Sequence, residues 1–385
     1  MLSLFRMSTT STLTNTSSAA EWTLSPDHDI FPRGSVKCLK EDICQPGSIF
    51  ALIGNALIRT NQDSSWQLIA GSINQSGYKN GNSTTARFNN PGSFIQMQNS
   101  TQILVADTMN YCIRTIDYET WNVGTLSGRC GVAGGTADGK FHKALFTGPV
   151  DMIYKTGDAN ILLTDDSTIR QLDMIHRSVN IEYSNSEKYS FLSSMDDLTN
   201  IAARVGQTGY LATSKKGFLH VLSKRIWRER KLKELKIKLL TSDTQEEWDQ
   251  ASTKNTANAG STLHKFLDVV VLTENLTLAA GASDAGKGLF IIDLSEPDAE
   301  AVEVCSRSAY LANGTIANAS LQNIATCQFK TDVTKLELIN STLYLIDVEA
   351  SISINELETL QLNSELRFWQ MCISCRQQTL RLQAL

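Results

Sequence analysis

The chain has 385 residues, 42% of them hydrophobic and 19% charged, with a formal net charge of −5. Those values exclude an intrinsically disordered chain and leave room for one large repeat-built domain or two ordinary ones. The mild acidity argues against a nucleic-acid footprint over the whole protein, though not against a local basic patch.

Residues 1–21 are rich in Ser and Thr and lack the apolar stretch of a secretory signal, so they read as a disordered lead-in. From Trp22 onward the pattern is one of short strands. In the stretch from Ser93 to Gly128, apolar runs such as SFIQMQ, QILVAD, YCIRTID and VGTLSG are separated by turn-forming QNST, DTMN and DYET. That spacing predicts four antiparallel strands per unit. The phrase ILVADTMNYCIRTID (Ile103–Asp117) returns 58 residues later as ILLTDDSTIRQLD (Ile161–Asp173), with Asp107 and Arg114 matched by Asp165 and Arg170.

A connector phrase recurs between these runs: NGNSTTARF around Gly81, DGKFHKALF around Gly139 and NGTIANASL around Gly314. Gly139 and Gly314 lie 175 residues apart, about three periods, which predicts two decayed copies between them. Gly81, Gly139 and Gly314 supply the positive φ of a tight return, Ala86 and Ala144 allow close approach, and Phe88 and Phe146 fill the gap between units. Four-stranded units repeating at this period predict an all-β fold, a β-propeller. Second-strand phrases fall at Phe50–Ile53, Ile103–Asp107, Ile161–Asp165, Tyr210–Ser214, Leu276–Ala280 and Leu343–Asp347, so the expectation is six four-stranded antiparallel blades over residues 22–371 and a tail at 372–385, with five or seven blades as the alternatives because the fourth and fifth units are irregular.

These residues resemble the NHL repeat family, most closely over Trp66–Asp173, where a connector ending in Ala-Arg-Phe-Asn precedes V-A-D-x-x-N-x-x-I-R-x-x-D. The resemblance implies that Asp107, Arg114, Asp165 and Arg170 are structural; the competing reading is that carboxylates at strand ends face a ligand. Some NHL-type propellers are zinc-dependent lyases. The five histidines, His28, His142, His176, His220 and His264, fall out of phase with the repeat and so do not converge as metal ligands. No catalytic, cofactor-binding or metal-ligating set emerges, and neither a P-loop nor a G-x-S-x-G motif is present.

The strongest local anomaly is basic. Residues 215–240 carry ten Lys or Arg against two Glu, whereas the remainder has 25 basic against 38 acidic residues. Lys224, Arg225, Trp227, Arg228, Arg230, Lys231 and Lys233 are candidates for binding a polyanion, RNA or sulfated glycan, with Trp227 stacking on a base or sugar. The competing readings are an outer blade strand whose lysines block edge-to-edge pairing and a helical insertion.

Of the eight cysteines, Cys112 and Cys130 fall on neighbouring strands and are the candidate disulfide; Cys305 and Cys327 are a weaker pair. Cys38 and Cys44 near the start and Cys372 and Cys375 near the end read either as ring-closing bridges or as reduced thiols. Asn-x-Ser/Thr triplets occur at Asn15, Asn74, Asn82, Asn99, Asn275, Asn313, Asn318 and Asn340. That is more than the roughly four or five expected by chance, which favours an extracellular or luminal glycoprotein over a cytoplasmic protein. No apolar run reaches the ~18 residues of a membrane span. The expected function is therefore a non-enzymatic propeller that binds a protein partner. The alternatives are an intracellular RNA- or protein-binding propeller using residues 215–238, and an NHL-type lyase.

Overall fold

The computed structural model describes residues 35–60, 66–98, 100–132, 134–156, 159–183, 197–204, 209–223, 228–232, 235–238, 262–271, 276–283, 286–294, 300–306, 334–339, 342–346 and 358–361. Among them are 25 strands and no α-helix. Two compact units contain them, one chiefly Ile30–Leu232 and the other chiefly Lys233–Asp347 with Asn355–Leu385.

The first unit consists of four antiparallel meander sheets in chain order. The first is β1 (Val36–Glu41), β2 (Ile49–Ile53), β3 (Ala56–Thr60) and β4 (Trp66–Gly71). The second is β5 (Ser93–Gln96), β6 (Gln102–Asp107), β7 (Cys112–Asp117) and β8 (Val123–Gly128). In the third, β10 (Pro149–Tyr154), β11 (Ile161–Asp165), β12 (Thr168–Asp173) and β13 (Ser178–Tyr183) are joined by the two-residue β9 (Gly139–Lys140) at the outer edge. The fourth is β14 (Leu198–Ala203), β15 (Gly209–Ser214), β16 (Leu219–Ser223) and β17 (Arg228–Leu232).

Consecutive sheets pack face to face, and the two-residue period of a strand decides which neighbour each side chain meets. Ile103 and Val105 of β6 join Phe50, Leu52 and Leu57 of the first sheet, whereas Leu104 and Ala106 join Met152, Ile161 and Leu163 of the third. Leu162 and Ile169 then pack against Leu198, Ile201 and Tyr210 of the fourth. Each sheet is thus apolar on both faces, as a propeller blade is. Ala86 and Phe88 lie in the first of these layers and Ala144 and Phe146 in the second, where the connector was expected to place them.

Glycine geometry explains the fit. Gly81 and Gly139 adopt φ of 135° and 132°, the turn conformation the connector demands. Gly71 and Gly128 close β4 and β8 at φ of 94° and 93°, and a Cβ there would stand 2.8 Å from the Phe88 ring and 2.9 Å from that of Phe146. Gly314 lies outside the described residues.

The second unit departs from the expected blade. β18 (Leu235–Lys238), β19 (Thr262–Val271), β20 (Leu276–Ser283), β21 (Gly286–Asp293) and β22 (Glu300–Ser306) form a closed barrel. β18 runs antiparallel to β19 and parallel to β22 and so joins the two edges of the meander. The last sheet has three strands, β23 (Lys335–Ile339), β24 (Thr342–Ile346) and β25 (Glu358–Gln361). Apart from the barrel, the described residues form five blades of three to four main strands, not six of four. The physical reason is strand length: β19 has ten residues and β20 and β21 eight each, against four to six in the main strands of the first unit, and long twisted strands curl until a bridging strand can close them. All six second-strand phrases nevertheless fall on second or equivalent strands: β2, β6, β11, β15, β20 and β24.

Candidate functional site

The repeated Asp and Arg pair is buried in both blades and, in the second, fully satisfied within the protein. Arg114 and Asp107 are both inaccessible, with Nη1 to Oδ2 at 2.9 Å. A guanidinium has five N–H donors, and Arg114 uses all of them. Nε donates to the Gly124 carbonyl, Nη1 to Asp107 and the Arg87 carbonyl, and Nη2 to the Lys79 carbonyl and Asn80 Oδ1. Asp107 also accepts from the Asn89 amide and Asn110 Nδ2. The guanidinium lies 5.3 Å from the Phe88 ring centroid and 5.0 Å from that of Tyr78.

The third blade repeats this arrangement except at Nε of Arg170, which is buried without a hydrogen-bond partner. Arg170 bonds Asp165 at 3.0 Å, the carbonyls of Leu145 and Ala137, and Asp138 Oδ1 at 2.7 Å, and lies 5.2 Å from the Phe146 centroid. Asp165 accepts from the amides of Thr147 and Gly148. Asn80 and Asp138 are the residues before the connector glycines, so the [Asn/Asp]-Gly signature is half turn chemistry and half arginine acceptor. Burial pushes the carboxyls of Asp107 and Asp165 up, against their hydrogen bonds and the adjacent guanidinium charges. These groups clasp the connector to its own blade.

By strand register the first blade has Ile53 and Ile58 in place of the pair, and the fourth has Ser214 and a buried His220. A different polar knot joins the first two blades. Asp42 accepts from Arg59 at 3.3 Å, from the Tyr118 hydroxyl at 2.8 Å and from Gln96 Nε2 at 3.1 Å. Trp121, at φ of 55°, packs its ring 4.9 Å from Tyr118 and 5.3 Å from the Arg59 guanidinium. Burial pushes the Tyr118 hydroxyl up to about 12, and the hydrogen bond and charge of Asp42 add to the shift.

The basic strip does not form one continuous element. Arg228, Arg230 and Lys231 lie on β17, the outermost strand of the fourth sheet, opposite Ser223, Val221 and His220. Lys224, Arg225, Trp227 and Lys233 lie outside the described residues. Residues 228–232 and 235–238 are strands, which overturns the helical insertion there. The run containing Lys236 and Lys238 is a barrel strand paired on both sides rather than an outer edge strand. Asn74 and Asn82 are exposed; Asn82 Oδ1 accepts from Thr84 and Thr85, which shapes its turn. Asn15, Asn99, Asn275, Asn313, Asn318 and Asn340 are outside the described residues, as are Cys327, Cys372 and Cys375. Cys305 lies on β22, Cys38 is buried on β1, and Cys44 is exposed.

One loop cluster on the second blade was not legible in the sequence. Cys112 and Cys130 are joined, with Cα atoms 5.2 Å apart, so the loop after β8 is pinned to the start of β7. Within that loop the Gly131 amide donates to the Asn110 carbonyl at 3.0 Å, and Asn110 Nδ2 donates to the Gly77 carbonyl at 2.8 Å. A Cβ on Gly131 would sit 3.8 Å from Tyr78 Cδ1. Three segments distant in sequence thereby converge, each exposing one large apolar side chain: Tyr78 at 49%, Met109 at 48% and Val132 at 51%. No cluster of His, Cys, Asp and Glu able to hold a metal occurs among the described residues, and no described helix is long and apolar enough to cross a membrane.

No family model matches the chain, and no curated protein matches it. Among solved structures it is similar to the extracellular domain of a hybrid two-component system from B. thetaiotaomicron, with TM-score 0.45 and 11% identity over 81% of this chain and 32% of that one. A second such domain from the same organism gives TM-score 0.44 and 10% identity over 81% and 38%. A streptogramin B lyase gives TM-score 0.38 and 11% identity over 87% and 86%. The chain spans 32% and 38% of the lengths of the two extracellular domains.

Proposed function

We propose that the chain is a non-enzymatic binding propeller of a secreted or cell-surface glycoprotein, and that it engages a protein partner through the loops of its second blade. The observation that carries this reading is the Cys112–Cys130 bridge beneath a cluster of half-exposed apolar side chains. Structural disulfides persist in oxidising compartments, and loops on a rigid blade scaffold suit recognition. The buried clasps also favour binding over catalysis, because their carboxylates and guanidiniums are committed to backbone and to one another. Exposed Asn74 and Asn82 are where glycans would sit. The reading includes kinship with the NHL repeats, from the motifs over Trp66–Asp173, and one propeller body over residues 22–371 between a lead-in at 1–21 and a tail at 372–385.

A second reading has one observation of its own. Arg228, Arg230 and Lys231 lie on an outermost strand, where an intracellular propeller would bind RNA or an acidic protein. The lyase reading has no comparable support from the geometry. The test is peptide mass spectrometry of the protein from native cells, with and without reduction and deglycosylation. The expected result is a Cys112–Cys130 linked peptide and occupied Asn74 or Asn82. Free thiols together with bare asparagines would overturn the proposal and leave the basic strand as the place to look.

A further inference from the structure

We infer that the loop cluster of the second blade takes an acidic segment with an apolar anchor, the anchor seated among Tyr78, Met109 and Val132; this inference rests on the binding role proposed above. Tyr and Met are enriched at the centres of protein interfaces, and contiguous exposed apolar side chains mark such sites better than scattered ones. The cluster is also fixed in advance. Arg114 packs one face of the Tyr78 ring, the disulfide pins the Val132 loop, and Asn110 ties the turn carrying Met109 to the connector. A surface held in place before binding loses less conformational freedom when a partner arrives.

Charge selects the partner. The three converging segments, residues 77–79, 108–111 and 129–132, contain Lys79 and Arg129 and no acidic residue, in a chain whose net charge is −5. Both basic residues are exposed. Opposite charge at the rim of an apolar centre raises the association rate and disfavours like-charged competitors, so an acidic flank on either side of the anchor is the complement.

The probe is a pair of fluorescent peptides with the same Leu-Phe core, one flanked by Glu and Asp and the other by Lys, titrated against the full disulfide-bonded chain. The acidic peptide is expected to bind at least tenfold tighter than the basic one. Lys79→Glu with Arg129→Glu is expected to reverse that order, and Met109→Ser with Val132→Ser to weaken the acidic peptide at least tenfold at unchanged thermal stability. If the apolar substitutions weaken binding but charge reversal changes nothing, the acidic class is refuted and the binding surface stands. If neither double substitution alters acidic-peptide binding, or if neither peptide binds, both the inference and this placement of the surface fall.

Discussion

Replacing Arg114 by Met keeps a side chain of comparable length over Phe88 and Tyr78 while removing the charge and five donors. Asp107 then remains inaccessible with only Asn110 and the Asn89 amide as partners; the carbonyls of Lys79, Arg87 and Gly124 lose the guanidinium, although Lys79 and Arg87 still exchange their backbone amide bonds. Breaking one side of a buried ion pair costs about 3–5 kcal/mol. Because the chain has two compact units, a single global unfolding transition is a poor readout. Site-resolved hydrogen exchange is better: the amides of Gly77, Ala86 and Arg87 are bonded within the clasped connector and report its local opening. At about 1.4 kcal/mol per tenfold, their exchange should accelerate by roughly two to four powers of ten. The effect should also depend on pH. Asp107 already has a raised folded value, so its protonation favours the fold; that contribution is complete below the unfolded value and fades as pH rises through the folded one. Without Arg114 the carboxyl is pushed higher still, and the cost of the substitution should shrink as the solution is acidified. An acceleration under tenfold, or one independent of pH, would refute the clasp as the element that holds connector to blade.

Arg170→Met should open the third-blade connector in the same way. Asp138→Ala, at a side chain 39% exposed, should cost about 1 kcal/mol, read from exchange at the Leu145 and Ile181 amides. Replacing both Cys112 and Cys130 by Ser removes a crosslink spanning 18 residues and should cost about 3 kcal/mol, with loss of protection at Gly131; an unchanged Gly131 amide would mean the loop is held by other contacts. Hydrogen bonds from the Thr120 hydroxyl and amide hold the Asp117 carboxyl below its ordinary value, as the amide and ring of His176 do for Asp173. Such groups stabilise above the unfolded value and lose that effect as pH falls through the folded one. Asp117→Asn should therefore weaken its turn at neutral pH and match the parent in acid, read from hydrogen exchange at the Thr120 and Trp121 amides across the pH range.

The legible parts of this molecule are those in which polar chemistry repeats. The 58-residue spacing of Gly81 and Gly139 and the paired Asp107–Arg114 and Asp165–Arg170 stand out because a tight turn accepts few residues and a buried guanidinium needs fixed acceptors. The disulfide was readable for another reason: the strand pattern sets its two cysteines side by side. Apolar positions are more permissive: Ile53 and Ile58 replace the pair in the first blade without disrupting its sheet, and the repeat fades there. The barrel of β18–β22 was hidden because closure depends on strand length and twist, neither of which has a motif. The Tyr78, Met109 and Val132 cluster was hidden for another reason. Each is an ordinary loop residue in its own segment, and only three-dimensional convergence brings those segments together.

The partners of Arg114 lie between Lys79 and Gly124, and those of Arg170 between Ala137 and Asp165. The self-sufficient portion of chain therefore begins at the connector, well before the first strand of the sheet it serves. Every residue of the second blade's clasp precedes the third-blade sheet in the chain. By the same token, a shortened protein that starts at Pro91, at the visible edge of a sheet, would leave that arginine without most of its acceptors. For a fold of this kind the natural joint, for truncation or for gene duplication, is ahead of the Asn-Gly turn.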